Sequence, residues 1–121
     1  METSRDKYYA QIFDNSPDFY NEYVFEIIKE ENNTHFLLEM STISKKGTFG
    51  ITWEGRLVNR GDHFAIIIQQ ETDWVKTHNT KKITYRKPKK DIAQVQIYPE
   101  YNKLLLYHRT FPKIIELYKI D

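Results

Sequence analysis

The chain has 121 residues and a mass of 14.6 kDa, and 18 Lys+Arg against 17 Asp+Glu leave a formal net charge of +1. This balance points to no nucleic-acid, membrane or acidic partner, while 40% hydrophobic and 15% aromatic residues exclude a disordered tail. The absence of cysteine excludes disulfide scaffolds, thiolate metal sites and cysteine nucleophiles. We therefore expect one packed domain over residues 1–121.

Strict alternation of apolar and polar residues predicts half-buried antiparallel strands in the first two-thirds of the chain. Glu22 and Glu26 lie on the polar side of the earliest clear strand, and Gln69 and Glu71 are expected on the solvent side of a later one. The apolar rows of the four clearest strands are Tyr23/Phe25/Ile27, Phe36/Leu38/Met40, Phe49/Ile51/Trp53/Leu57 and Phe64/Ile66/Ile68.

Weaker candidates bring the number of expected strands to nine, and they lie at 7–13, 82–86, 92–98, 103–109 and 113–120. The last is ambiguous, because Pro112 and the apolar residues after it also suit a short C-terminal helix over 112–120. Its β-branched residues and the option of a period of two favour a strand.

Short polar segments with turn-forming residues separate these runs and predict hairpins, at 31–34, 45–47, 59–62 and 99–102. In the third turn, Gly61 is expected at positive φ, with Asn59 and Asp62 in local hydrogen bonds. Eight or nine short strands must protect their edges by closing into a barrel or by packing as two sheets. We therefore predict an all-β fold, an antiparallel meander of about eight to nine strands in a closed or nearly closed barrel.

A family resemblance rests on this meander, on the segment Phe49-Gly50-Ile51-Thr52-Trp53-Glu54-Gly55, and on a closing hairpin from Leu104-Leu105-Leu106-Tyr107-His108 to Glu116-Leu117-Tyr118-Lys119. In these features the chain resembles a lipocalin-like (calycin) barrel. The resemblance covers most of the chain and implies that architecture, without assigning a functional residue. A pleckstrin-homology-like barrel is the alternative, because that fold ends in a helix and the segment 112–120 decides between the two.

A barrel of about eight strands has room inside for side chains or for one small ligand. If large side chains converge there without filling the space, they line a pocket for a small amphipathic or aromatic ligand. A fully packed core is the alternative. The residues expected to line this interior are Phe25, Phe36, Met40, Phe49, Trp53, Phe64 and Tyr118.

A basic segment at 76–90 contains seven Lys/Arg and no acidic residue. It is a candidate site for nucleic acid, another polyanion or an acidic protein, since clustered cations attract phosphates and the rings of Trp74 and Tyr85 can stack on a base. The alternative is a solvated loop and an edge strand that lysine protects from pairing. The residues of this candidate site are Lys76, Lys81, Lys82, Tyr85, Arg86, Lys87, Lys89 and Lys90.

Charge is also uneven along the chain. Residues 1–40 carry three Lys/Arg against nine Asp/Glu, whereas residues 76–121 carry eleven against four. The first and last strands of a meander barrel are neighbours, so part of this separation is expected to neutralise across the closing seam.

Two His-x-Thr triplets, at 78–80 and 108–110, superficially resemble the acid and base elements of two-histidine phosphoesterases. The chain lacks the helices of that family's larger fold, so we expect no catalytic role for His78 and His108. The spacing of the four histidines matches no metal-binding motif, and no Gly-rich phosphate loop occurs. Neither a metal nor a cofactor is therefore expected.

These observations predict a non-catalytic binding module for a small amphipathic or aromatic ligand. The alternatives are binding of nucleic acid or another polyanion through 76–90, and a protein-interaction adaptor that uses a tyrosine-rich sheet face. The N-terminal residues include no apolar leader and no run approaches the about 20 apolar residues that span a bilayer, so we expect a cytoplasmic protein without a membrane partner. The oligomeric state is left open.

Overall fold

The computed structural model describes residues 4–13, 18–77, 80–87 and 93–120. These residues form nine strands and one 3-10 turn, Pro99–Tyr101. In this part of the chain, no helix is long and apolar enough to cross a membrane. The strands are β1 (Ser4–Ile12), β2 (Phe19–Glu30), β3 (Asn33–Ser44), β4 (Gly47–Asn59), β5 (Phe64–Thr77), β6 (Thr80–Arg86), β7 (Ala93–Tyr98), β8 (Lys103–His108) and β9 (Ile115–Ile120).

Eight of the strands form a closed antiparallel barrel in meander order, as predicted. Around the barrel the order is β4-β3-β2-β1-β9-β8-β7-β5, and β4 also pairs with β5. A closed antiparallel barrel of eight strands is consistent with a lipocalin-like architecture. The C-terminal segment forms strand β9, so the helical alternative for 112–120 is wrong.

Closure joins the first and last strands. β9 pairs with β1 over three residue pairs centred on Tyr8 and Lys119. At this seam Lys119 Nζ lies 3.4 Å from Asp6 Oδ1, which places a basic residue of the last strand against an acidic residue of the first. The expected neutralisation across the closing seam is therefore present.

Strand β5 pairs with β4 along one side and with two different strands along the other. Its first two residues, Phe64 and Ala65, pair with β7, whereas Glu71–Thr77 pair with the ninth strand, β6. Between these two parts the register with β4 shifts, and Gln69 is left without an opposite residue. A bulge of this kind exchanges the two faces of the strand beyond it. The prediction that Glu71 lies on the solvent side is therefore wrong, because Glu71 lies directly opposite Trp53 on the barrel side.

The body of the barrel is filled by apolar side chains. The Phe25 and Phe36 rings stack with centroids 5.6 Å apart, and Phe25 and Leu38 have no accessible surface. A side chain without accessible surface touches no space of water size, inside or outside, so the barrel is packed around these residues. Each such side chain contributes about 1.5–3 kcal/mol by its burial. The buried cluster consists of Tyr8, Ala10, Phe25, Ile27, Phe36, Leu38, Trp53, Leu57, Ile66, Ala93, Val95, Leu104, Leu106, Ile115 and Leu117.

The turn between β4 and β5 has the predicted chemistry. Gly61 has a φ of 100°, and its N–H donates a 2.8 Å hydrogen bond to Asn59 Oδ1. Asp62 Oδ1 lies 2.7 Å from His63 Nδ1, which lowers the pKa of the Asp62 carboxyl. These local contacts confirm the predicted turn at 59–62.

Candidate functional site

Four rings cross the barrel at the end where β4 begins and β8 ends. The ring centroids of Trp53 and His108 are 4.8 Å apart, and those of His108 and Phe111 are 5.2 Å apart. Phe111 in turn meets Tyr23 of β2 edge to face, with centroids 6.1 Å apart. We call these four residues the ring floor. Trp53 belongs to the buried cluster, and Tyr23 and Phe111 are partly buried and pack against it.

His108 is held in the ring floor by the residue two positions later. It is only 2% exposed, and the Thr110 N–H donates a 3.1 Å hydrogen bond to His108 Nδ1. Thr110 Oγ1 lies 2.6 Å from the same nitrogen. A backbone N–H can only donate, so Nδ1 accepts and the neutral ring carries its proton on Nε2. The second His-x-Thr triplet therefore makes a local contact between a buried histidine and the exposed Thr110.

Beyond the ring floor, two carboxylates on β5 have basic or indole partners. Trp53 Nε1–H donates a 2.7 Å hydrogen bond to Glu71 Oε1. Arg86 of β6 places its Nε 2.6 Å from Asp73 Oδ2. Because both carboxylates follow the bulge, they face the same side of the sheet as Trp53. This region of the barrel end is therefore polar, and Arg86 neutralises the charge of Asp73.

Apolar side chains continue along the same face of the sheet, past the packed core. Phe49 and Val75 lie directly opposite each other on β4 and β5, and they are 55% and 48% exposed. Met40 and Ile51 form the neighbouring pair on β3 and β4. Met40, Phe49 and Ile51, together with Tyr23, line an open pocket of about 200 Å³. We call Tyr23, Met40, Phe49, Ile51 and Val75 the apolar mouth.

The mouth also has a polar side. Thr42 Oγ1 donates a 2.8 Å hydrogen bond to Asn21 Oδ1, and both residues line the same pocket. On the opposite flank, Lys82 of β6 pairs with Val75 in register. An exposed apolar surface with a hydrogen-bonding flank and a basic flank suits an amphipathic molecule.

The structure divides the seven residues predicted to line a ligand site. Phe25 and Phe36 lie in the packed core, Trp53 lies in the ring floor, and Phe64 packs against the core near the seam with β7. These four residues do not line the pocket of the apolar mouth.

Two of the seven belong to the apolar mouth and one lies outside the barrel. Met40 and Phe49 line the pocket together. Tyr118 was expected inside, but it is 52% exposed. The inward row of β9 consists of Ile115 and Leu117, so the alternation of the strand directs Tyr118 to the outer face.

The basic segment does not present one face. Lys76 and Lys81 lie opposite each other on the same side of the sheet as Trp74, whereas Lys82 and Arg86 lie on the side of the mouth. Tyr85 and Lys87 are exposed, and Lys89 and Lys90 lie outside the described residues. Side chains alternate between the two faces of a strand, so the basic residues that are close in sequence lie on both faces of the sheet.

Trp74 is not an open stacking surface. Its indole Nε1–H donates a 3.2 Å hydrogen bond to Thr52 Oγ1, and Lys81 Nζ lies 5.3 Å from its ring centroid. The ring lies over Gly50, where an added Cβ would be 2.6 Å from Trp74 Cζ2. Glycine at position 50 is therefore required for Trp74 to pack against β4.

The remaining predicted features are quickly placed. The outer face of β7, β8 and β9 carries Tyr98, Tyr107 and Tyr118, which is the tyrosine-rich face considered for a protein partner. His78 lies outside the described residues. Within the described ranges, no cluster of three or more His, Asp or Glu has the arrangement of a metal site.

The sequence did not predict that Glu71, Asp73 and Val75 lie on the interior side of the barrel. A bulge at Gln69 moves all three to that side, and an uninterrupted period of two hides it. Gly55 is the one residue in the sequence that indicates the bulge. The strands approach each other so closely there that a Cβ at position 55 would lie 1.8 Å from Ile67 O.

Comparison with known proteins adds no assignment. No protein-family model matches the chain, and no curated protein matches its sequence.

Proposed function

We propose that the protein binds a small amphipathic or aromatic ligand in the apolar mouth. The observation that carries this proposal is the exposed Phe49/Val75 pair, which continues the inner face of the barrel beyond the ring floor. Exposed apolar side chains grouped in a concave pocket are typical of ligand sites. Because the body of the barrel is packed, we place the ligand at this end of the inner face.

The size of the pocket restricts the ligand. At about 200 Å³ it is smaller than the roughly 300–1,000 Å³ of sites for drug-sized molecules. We therefore propose a ligand of one or two rings, or a short aliphatic chain. Its apolar part contacts Phe49 and Ile51, and its polar end lies near Thr42 or Lys82. We also propose that the protein belongs to the lipocalin-like family and that it is cytoplasmic.

Fluorescence titration tests the proposal. The probe is dansylamide, an environment-sensitive naphthalene of two rings with a polar sulfonamide, and small aromatic acids and alcohols are then used to compete with it. We expect saturable binding that Phe49→Ser or Ile51→Ser weakens about tenfold or more, because each change removes an apolar contact. Both side chains are exposed, so neither change should unfold the protein.

The matched control is Ile114→Ser. Ile114 is an equally exposed apolar residue that lines a groove on the outer face of β8 and β9. Probe binding that Ile114→Ser abolishes and Phe49→Ser leaves intact would place the ligand on the outer face. That result, or the absence of saturable binding, contradicts the proposal.

A further inference from the structure

Strand β6 leaves one edge of the sheet without a strand partner in the described part of the chain. One side of β6 pairs with β5 over seven residue pairs, and β6 is the last strand in the sheet order. All seven of its residues are exposed. An edge of this kind presents unpaired N–H and C=O groups to any extended chain.

The backbone groups on this edge can be identified. A Cβ placed on Gly47 would lie 2.9 Å from Lys76 O, so this carbonyl is directed towards β4. Backbone groups alternate sides along an antiparallel strand, so Val75 and Thr77 are directed towards β6. Their register partners Lys82 and Thr80 bond back to β5. Lys81, Ile83 and Tyr85 alternate along β6 with the residues that bond to β5. Their N–H and C=O groups are therefore directed to the free edge.

The side chains of this edge combine apolar surface with positive charge. Ile83 and Tyr85 are 46% and 70% exposed and lie on one face. Lys81 lies beside them, directly opposite Lys76 on β5, a like-charge pair that is unfavourable without an anion nearby. Lys82 adds a cation on the other face, and β6 contains no acidic residue.

We propose that the free edge of β6 binds an acidic extended segment of a partner protein by strand addition. Backbone hydrogen bonds from Lys81, Ile83 and Tyr85 supply the affinity, as in other cases of strand addition to a sheet edge. Side chains supply the specificity: acidic residues of the partner lie opposite Lys81 and Lys82, and β-branched or aromatic residues lie opposite Ile83 and Tyr85. This surface shares Lys82 with the flank of the apolar mouth, whereas Lys81, Ile83 and Tyr85 lie on the other face of the sheet.

Fluorescence anisotropy with the full chain tests the proposal. The probe is a labelled synthetic peptide of about seven residues in which valine and threonine alternate before two glutamates, matched to antiparallel addition. We expect saturable binding that weakens severalfold between about 50 and about 200 mM salt, since salt screens the exposed charges. The same peptide with an N-methyl group on the valine opposite Ile83 should not bind, because that valine faces β6 with its N–H.

Variants of the protein separate backbone pairing from charge. Ile83→Pro removes an N–H that points away from β5, so it should leave the β5–β6 ladder intact and abolish peptide binding. The double change Lys81→Glu and Lys82→Glu should weaken binding at least about tenfold through charge reversal. Lys45→Glu with Lys46→Glu is the matched control, because both lysines are exposed in the β3–β4 turn.

Other occupants give different results. If β6 binds an anionic peptide by charge alone, the Ile83→Pro variant will still bind the peptide. The N-methyl peptide will then also bind. Pairing of two β6 edges would appear as a mass that rises with protein concentration and falls with Ile83→Pro. Either result, or binding unchanged by the N-methyl group, overturns the proposal.

Discussion

Trp53 and Glu71 lie directly opposite each other on β4 and β5, and the indole N–H of Trp53 donates to the Glu71 carboxylate over 2.7 Å. Trp53 is 7% exposed, so this carboxylate accepts the hydrogen bond of an N–H on a buried ring. The bulge at Gln69 is what directs Glu71 to the barrel side.

Removal of this acceptor is expected to destabilise the barrel. Glu71→Ala leaves the Trp53 N–H unsatisfied and should lower the free energy of unfolding by about 1–3 kcal/mol. Glu71→Gln keeps an oxygen acceptor and should cost clearly less. Urea unfolding followed by circular dichroism measures both values. Glu116→Ala is the control, because Glu116 makes an exposed ion pair with Lys103 that contributes about 0–1 kcal/mol. Equal losses for the two Glu71 variants would contradict the role of the acceptor.

The tautomer of His108 is a second prediction. Thr110 N–H donates to His108 Nδ1, so the neutral imidazole is expected to carry its proton on Nε2. Long-range proton–nitrogen NMR spectra distinguish the two tautomers directly. Thr110→Val removes the hydroxyl and keeps the backbone donor, so the tautomer should not change. A proton found on Nδ1 would contradict this hydrogen-bond assignment.

Tyr9 is expected to ionise at unusually high pH. Its hydroxyl donates to Glu22, and this hydrogen bond, with smaller contributions from burial and charge, raises the pKa of Tyr9 to about 12 from 10.0. The hydrogen bond favours the protonated phenol of the folded protein. Its contribution to stability is therefore complete below pH 10.0 and is lost as the pH rises towards about 12.

Glu22→Gln tests this prediction by removing the charge of the acceptor. The pKa of Tyr9 should move back towards 10.0, as followed by carbon NMR of the tyrosine rings during an alkaline titration. Tyr8, whose pKa is raised mainly by burial, should keep its raised value and serves as the internal reference. An unchanged Tyr9 titration would show that Glu22 does not cause the shift.

Gly50→Ala should disturb the packing of Trp74. The added Cβ would lie 2.3 Å from Met40 O and 2.6 Å from Trp74 Cζ2, so backbone or ring must move. We expect a loss of at least about 2 kcal/mol in the free energy of unfolding and a red shift of Trp74 emission. Gly61→Ala is the comparison, because its Cβ meets nothing within 4 Å and only the φ of +100° opposes it. The cost there should be about 1–2 kcal/mol without a spectral change. Equal spectra for both variants would exclude the contact.

The fold could largely be predicted from the sequence because its strands are half-buried. Rows such as Phe36/Leu38 and the turn at Gly61 specify strands and hairpins locally, and edge protection then requires closure. Strand β9 illustrates the limit of this reasoning. Ile115, Leu117 and Tyr118 are all apolar enough for the interior, and only pairing with β8 decides that Leu117 faces inward and Tyr118 outward.

The candidate site was harder to predict, for two physical reasons. Phe49 lies on the same side of β4 as Trp53, but it extends beyond the packed body, and no local pattern indicates where the core ends. On β5, one unpaired residue, Gln69, reverses the sides of everything after it. From the sequence alone, Phe49 therefore falls in one ligand-lining set with the packed residues Phe25 and Phe36, and Glu71 falls in solvent.

The pairing of β1 with β9 also determines when the barrel can form during synthesis. Tyr9 finds its partner, Tyr118, more than a hundred positions later, so the seam is the contact of longest sequence separation in the sheet. Until β9 has left the ribosome, β1 and β8 both expose an edge and the apolar interior lacks Ile115 and Leu117. Contacts this distant form slowly, because loop closure precedes the energy gained from them. The chain therefore keeps two unpaired strand edges, which favour aggregation, until its last strand joins its first.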